Sequence, residues 1–323
     1  MRIPDLRFYT FDFVLLHVEH HFSSVNWNIC YNDIGTFEAH FDLQSEALPI
    51  VMEQDYLIVV QGQQAAVVVG KRLGEDLAVY GRTCNWLLTK RVIDVFEKGE
   101  QPAEQVVNQA VKTAFSDVPV ILAPPTEDVL LEAAEQDNKR ELFSMVQEIL
   151  EQAGLGHTLE FEPIGKHWVF RILRGRNNNP LTVSVSNRNA YDMTIEHDLL
   201  DLCTEGWYKQ KLEDGGEQWV QLKGTSPQTG MRRWEGLLSG ESESEAAASL
   251  LAMRRAEAVQ GNTFGITYDE DYALGDIVVV QYQAGDYKKT ARKRVTGVNL
   301  WYESNGCGQQ PIFEEVEENG VQE

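Results

Sequence analysis

The segment Asn26-Trp27-Asn28-Ile29-Cys30-Tyr31-Asn32-Asp33-Ile34-Gly35-Thr36-Phe37-Glu38-Ala39-His40-Phe41 decides the fold. Trp27, Ile29 and Tyr31 fall on one face of a period-2 strand; Phe37, Ala39 and Phe41 do the same in the second run, with Glu38 and His40 turned away. Between the runs, Asn32-Asp33-Ile34-Gly35 supplies residues that tolerate left-handed backbone angles or bond their own backbone. The spacing predicts a half-buried β-hairpin. Cys30, on the strand face opposite Trp27, reads as a small apolar filler.

Similar alternating runs surround the hairpin at residues 8–17, 56–60, 65–70 and 77–83, most of them separated by Gly, Asn or Asp. Short strands at such close spacing favour a sandwich or small closed barrel, because closure removes unpaired edges. Residues 1–92 are therefore expected to form a first β-barrel, and the pattern then changes. Val106, Val107, Ala110, Val111 and Ala114 share a helical face behind Pro102; Asn138 offers an N-cap with Glu141 three residues on. Leu142, Met145, Val146, Ile149, Leu150 and Ala153 form a second helical stripe that Gly154 closes, and a hairpin over 158–162 and 167–173 turns through Pro163-Ile164-Gly165-Lys166. Residues 93–180 thus read as an α+β insertion, ending in the polar run Arg174-Gly175-Arg176-Asn177-Asn178-Asn179-Pro180 as a linker. A second β domain is expected over 181–205 and 262–323, with strands at 263–267, 277–282 and 294–302 and a turn at Leu274-Gly275-Asp276. A strand-helix insertion over 206–261 interrupts it, with a strand at 218–222 and a helix at 243–259 that stops at Gly261. The fold class is mainly β with α+β insertions.

At 323 residues the chain can bury cores for two domains, since single cores seldom grow beyond about 250 residues. Fifty acidic against 28 basic side chains give a formal charge of -22, which repels phosphate backbones and anionic membrane surfaces. Specific binding of nucleic acid and membrane insertion are both disfavoured, and no apolar run reaches the roughly 20 residues needed to cross a bilayer. The N-terminus lacks the apolar core of a secretory signal. Cys30, Cys84, Cys203 and Cys307 are too scattered for a metal knuckle or a disulfide framework and read as reduced thiols.

Three pieces recur together in one order: Trp27, Asn32 and Gly35-Thr36-Phe37-Glu38; then Val67-Val68-Val69-Gly70-Lys71-Arg72; then Tyr80-Gly81-Arg82-Thr83, Asn85-Trp86-Leu87-Leu88 and Lys90-Arg91. In this combination the chain resembles the tail hub (baseplate hub) proteins of long-tailed bacteriophages and related phage-like particles. The likeness covers the first 90 residues and continues more weakly to the end. It implies two β-barrels with α+β insertions, Leu274-Gly275-Asp276-Ile277-Val278-Val279-Val280 matching a segment of the second barrel, although the letters themselves show no repeat. The implied role is structural and without a cofactor: a homotrimer whose six barrels form a ring in the virion tail. That ring would adapt a sixfold tail tube and its distal tail protein to a threefold tip, spike or fibre, letting genomic DNA pass without specific binding. Assembly would take place in the cytoplasm of the bacterial host. Because the sequence stops soon after the second barrel region, it is expected to be the siphovirus tail-tip hub type without a C-terminal lysin domain.

Candidate reactive groups are sparse. His17-Val18-Glu19-His20-His21 fits neither H-E-x-x-H nor H-x-x-E-H, and only His17, Glu19 and His21 would share a strand face. It reads as a solvated strand end, with a metal site as the alternative. No G-x-S-x-G elbow or phosphate-binding loop is present, and Ser226 has no indicated base. Glu132 with Glu135, or Asp269 with Asp271, could be paired as glycosidase carboxylates, but pairs of this kind are expected on solvated faces in so acidic a chain. Lys71, Arg72, Arg82, Lys90 and Arg91 gather positive charge, read either as surface ion pairing or as assembly contacts with an acidic tube or neighbouring subunit. Two rivals to the hub reading are a cell-wall-degrading enzyme on a tail-tip scaffold and a receptor or carbohydrate binder using some of the seven tryptophans.

Overall fold

The computed structural model describes residues 3–94, 99–125, 130–133, 139–177, 179–212, 216–224, 228–240, 242–253, 256–303 and 306–316. The chain divides into two compact units, Met1–Met193 with Gln260–Glu323, and Thr194–Val259.

In the larger unit the first strands are β1 (Leu6–Thr10), β2 (Leu15–Glu19), β3 (Ser24–Cys30) and β4 (Thr36–Phe41). Helix α1 (Ala47–Glu53), β5 (Leu57–Gln61), β6 (Gln64–Leu73) and β7 (Leu77–Thr83) follow, then a 3-10 helix over Cys84–Lys90. The opening hairpin has the expected facing: Trp27, Phe37, Ala39 and Phe41 are almost fully buried, and the Trp27 and Phe37 rings lie 4.5 Å apart. Of the two devices expected in its turn, the structure uses local bonding, with Asp33 Oδ1 accepting from Ile34 N at 2.6 Å, and not left-handed angles. None of Asn32, Asp33 and Gly35 has a positive φ; a Cβ on Gly35 would instead overlap the Asn28 carbonyl oxygen, so close backbone approach demands the glycine. The run expected as one strand over 8–17 is two, because Thr10 and Val14 close a turn (Thr10 N to Val14 O, 2.9 Å). Phe13 sits in the left-handed region at φ 62, an unfavourable place for a bulky residue. Its ring stacks on Phe161 with centroids 4.8 Å apart, a tertiary contact invisible to strand periodicity.

The α+β part comprises β8 (Val92–Ile93), β9 (Gly99–Pro102), α2 (Ala103–Ala114), β10 (Val120–Leu122), β11 (Leu130–Ala133) and β12 (Arg140–Glu141), followed by α3 (Leu142–Gln152) and the hairpin β13 (Gly156–Glu162) and β14 (His167–Leu173). β10 joins that hairpin by pairing parallel to β14. Helix α2 buries Val106, Val107, Ala110 and Val111, and α3 buries Leu142, Met145, Val146 and Leu150, as their 3.6-residue spacing requires. The N-cap of α3 is Glu141, without a side-chain cap bond; Asn138 lies outside the described residues. Both helices, the 3-10 helix and the β13–β14 hairpin share one core with Tyr9 and Ile58 of the β strands.

After β15 (Thr182–Ser184), β16 (Ala190–Asp198) leads into the smaller unit. There β17 (Glu205–Lys211), β18 (Glu217–Lys223) and β19 (Glu235–Leu237) form a sheet in the order β18-β17-β19. Helix α4 (Glu243–Ala252) shares its core of Cys203, Tyr208, Leu238, Ala246 and Leu250. The helix expected over 243–259 therefore ends early, and β20 (Ala256–Thr263) takes the remainder, with Gly261 inside a strand. Glu257, Val259, Gly261 and Thr263 are buried alternately, a period-2 signal that the neighbouring alanines obscure.

The chain finishes with β21 (Ile277–Ala284), β22 (Tyr287–Glu303) and β23 (Gly306–Glu315). Among the described residues thirteen strands share one sheet, ordered β16-β20-β23-β22-β3-β4-β7-β6-β5-β1-β2 with β21 and β15 branching from β22. The early and late strand sets expected from the sequence meet where β22 pairs antiparallel with β3, Leu300 opposite Trp27. The protein is mainly β with smaller α+β parts.

The polar run 174–180 does not behave as a free linker. The Asp276 carboxylate, almost fully buried, accepts bonds from the Arg176 backbone (2.6 Å), Arg176 Nε (2.8 Å) and Asn179 Nδ2 (2.9 Å). A Cβ on Gly175 would overlap the Gly275 carbonyl, and a Cβ on Gly275 would overlap the Tyr31 ring. A run of turn formers reads as a linker in one dimension; here Arg176 and Asn179 are held by a buried acid a hundred residues away, and Arg174 pairs with Glu104.

Candidate functional site

The polar residues of the opening motif are consumed in a joint. Asn32 Oδ1 lies 2.9 Å from His157 Nδ1, Asn32 Nδ2 donates to the Gln147 carbonyl, and Gln147 Nε2 donates back to the Asn32 carbonyl. Asn85, buried within the 3-10 helix, donates to the carbonyls of Asp33 and His157 and accepts from Leu159 N at 2.7 Å. Thr83 Oγ1 accepts from Gly35 N at 2.9 Å. Asn32, Gly35, Thr83 and Asn85 thus bolt the β3–β4 turn to α3 and β13. Burial pushes His157 down to about 3, so its ring is neutral and its role is packing between Phe143 and Phe170.

β6 also borders an apolar groove of about 560 Å³. It is lined by Val67, Val68 and Val69 of β6, by Trp86 and Leu87 of the 3-10 helix, and by Phe115, Val118 and Val120 beyond α2. Trp168, Leu159, Phe11, Tyr56 and Asp55 complete the lining. Tyr56 and Val69 leave substantial apolar surface in water, at 74% and 43% exposure.

Of the five cations singled out by sequence, Lys90 and Arg91 line this groove. The Lys90 ammonium sits 4.2 Å above the Trp86 ring, and Arg91 lies over Phe115 while pairing with Asp117 at 3.3 Å. Lys71 donates to the carbonyl of Gln54, next to Asp55 at the groove edge. Arg72 and Arg82 are exposed on β6 and β7 and have no carboxylate partner among the described residues. The five do not form one cluster: Lys90 and Arg91 line the groove, whereas Lys71, Arg72 and Arg82 stand on β6 and β7. Sequence reasoning missed the groove, because its lining comes from segments more than 150 residues apart, from Phe11 to Trp168; the run Val67-Val68-Val69 with Trp86 and Trp168 was the available signal.

The histidine-rich segment is occupied by local contacts. Glu19 accepts from Ser45 Oγ and from His21 N and lies 3.5 Å from His17 Nε2; His20 pairs with Asp5 at 2.9 Å. Burial alone would raise the Glu19 carboxyl, but the bonds from Ser45, His21 and His17 outweigh it and hold the group below its ordinary value. No group of three or more His, Cys, Asp or Glu set to hold a metal occurs among the described residues. Asp271 accepts from Thr267 N in a tight turn, and Asp269 lies in the same turn at φ 68. Glu135 and Ser226 lie outside the described residues. No helix of the described residues is long and apolar enough to cross a membrane.

No family model matches the chain, and no curated protein matches it. Solved structures do. A tail protein from Neisseria meningitidis MC58 superposes with a TM-score of 0.60 at 14% identity, covering 96% of each chain. The 43 kDa tail protein of prophage MuSo2 from Shewanella oneidensis gives 0.60 at 13% identity over 97% of this chain and 98% of that one. The prophage tail protein gp18 from Listeria monocytogenes EGD-e gives 0.56 at 12% identity, over 97% and 95%. At these identities the likeness is one of fold, and it runs the full length of both partners.

Proposed function

We propose that this chain is a structural component of a phage-type tail, a tail hub that closes as a homotrimer into a pseudo-sixfold ring at the tip of the tail tube. The observation that carries the reading is the end-to-end fold likeness to phage tail proteins, in which both chains are spanned almost completely. The resemblance to tail hubs adds a reason for the ring, since it implies two β domains per subunit and hence six in a trimer. Ring closure of this kind uses heterologous contacts between different faces of each subunit. Its neighbours are the tail tube and distal tail protein on one side and tip, spike or fibre proteins on the other, with the genome passing through without specific contacts. The protein would act in the virion tail, through buried surface rather than a catalytic step or a cofactor.

On this reading residues 1–92 and 181–205 with 262–323 are the two ring-forming β domains, and 93–180 and 206–261 are the inserted parts. Lys71, Arg72, Arg82, Lys90 and Arg91 act as assembly contacts that set register against an acidic neighbour. The mass of the purified protein in solution tests the ring directly: a trimer is expected, and a monomer at all concentrations argues against it. In particles, Arg72→Glu combined with Arg91→Glu is expected to block assembly. Normal particles from that double variant reject the assigned contacts.

A further inference from the structure

We infer that the groove between β6 and the α+β part is a docking site for an extended acidic segment of a partner protein, one that inserts a large apolar side chain. The inference deepens the assembly reading, on which it rests only for the partner being another tail component.

Three observations point to that occupant. The groove is apolar and of a size suited to side chains or small ligands, commonly about 300–1,000 Å³, and Tyr56 and Val69 at its mouth expose surface that a monomer gains nothing by exposing. Its charged lining is biased to one sign: Lys90 and Arg91 against Asp55, in a chain with an excess of 22 negative charges. Arg91 is already paired to Asp117, whereas Lys90 has no carboxylate partner among the described residues and holds its ammonium over Trp86 at the surface. A carboxylate beside the anchor would complete that site. Finally, β10 contributes Val120 to the wall and is the edge strand of its sheet, with β14 its only neighbour among the described residues. A strand edge offers backbone donors and acceptors to an extended chain, which favours a peptide over a compact ligand.

The test uses the full chain and two fluorescein-labelled synthetic peptides, each with a central phenylalanine, flanked by glutamates in one and by lysines in the other. Anisotropy titration is expected to show saturable binding of the glutamate peptide, weakened by added salt, and none of the lysine peptide. Lys90→Glu and Val69→Glu, both at exposed positions and so compatible with folding, should each weaken binding at least about tenfold. Lys288→Glu, at an exposed position of β22 outside the groove, should leave it unchanged. Equal binding of the two peptides, no saturable binding of the glutamate peptide, or wild-type affinity in Lys90→Glu and Val69→Glu would each overturn the proposal. Because the readout is the isolated chain, the result is independent of whether three copies close into a ring.

Discussion

Replacing Asp276 by alanine should destabilise the larger unit more than any single surface charge change. The carboxylate accepts five hydrogen bonds: from the Arg176 backbone at 2.6 Å, Arg176 Nε at 2.8 Å and Nη2 at 2.5 Å, Asn179 Nδ2 at 2.9 Å and Ala273 N at 3.1 Å. Removing it leaves the two backbone donors without a partner. Asn179 Nδ2 keeps one bond to the Asp271 carbonyl, and the half-exposed Arg176 guanidinium can rehydrate. Each stranded buried donor costs about 1–3 kcal/mol, which places Asp276→Ala at roughly 3–5 kcal/mol, the range for breaking a buried ion pair from its buried side. For a unit of this size, about 2 °C of melting temperature is lost per kcal/mol, so the midpoint should fall by roughly 6–10 °C. Arg176→Ala should cost less, about 1–2 kcal/mol, since Asp276 then retains the bonds from Asn179 and both backbone groups. The pH dependence follows from the same geometry. Burial by itself raises the Asp276 carboxyl, but the bonds from Arg176, Asn179 and Ala273 outweigh it and hold the group below its ordinary 3.8. The stability it contributes is therefore fully present above about pH 4 and is lost as the pH falls below that through the lower folded value. Asp276→Asn should remove this share of the acid sensitivity. Urea denaturation of the three variants decides the matter: Asp276→Ala within about 1 kcal/mol of the parent, or an Arg176→Ala penalty as large as that of Asp276→Ala, would refute the reasoning.

Three further outcomes are expected. His157, pushed down to about 3 by burial, should keep a neutral ring between about pH 7 and pH 5 when followed by nitrogen NMR; its contribution to stability, full above its unfolded value of 6.5, should fade as the pH drops from there towards 3. A titration midpoint near 6.5 in the folded protein would contradict its placement. Gly81→Ala should cost about 1–3 kcal/mol, because the added Cβ would overlap the Val67 carbonyl oxygen across the β6–β7 ladder; Gly74→Ala, whose Cβ would meet open space, should be close to neutral in the same melt. Of the four free thiols, only the exposed Cys307 should react quickly with a thiol reagent in the native state. Cys84 and Cys203 are buried, and burial with the nearby Asp33 and Glu314 charges pushes Cys30 up to about 12, so rapid native labelling of several thiols would be inconsistent with the fold.

Much of this was legible along the chain. Wherever one face of a strand or helix is buried, the alternation of residue type records it, as in the β3–β4 hairpin, the α2 and α3 stripes and the β13–β14 hairpin. The readings that failed lacked that record. Phe11 and Phe13 look like continued strand because apolar residues in a turn are unusual; their rings pack on Tyr56 and on Phe161 and Trp168, the latter two some 150 residues away. Residues 256–259 read as helix because alanines favour one, although Glu257, Val259, Gly261 and Thr263 are buried alternately. Lys71, Arg72, Arg82, Lys90 and Arg91 stand out as charges in an acidic chain, but composition cannot tell which of them share a surface.

The sequence by itself determined the mainly β class, the facing of the opening hairpin and the helical insert, because these depend on neighbours within a few residues. Only the tertiary structure decided that the strand sets fuse through β3 and β22, that Asp276 pins the polar run 174–180, and that β6, the 3-10 helix and β10 enclose a groove with Lys90 at its mouth. Those features arise from contacts between residues far apart in the chain, whose pairing is settled by packing and by the need to satisfy buried polar groups, and a linear pattern holds no trace of either.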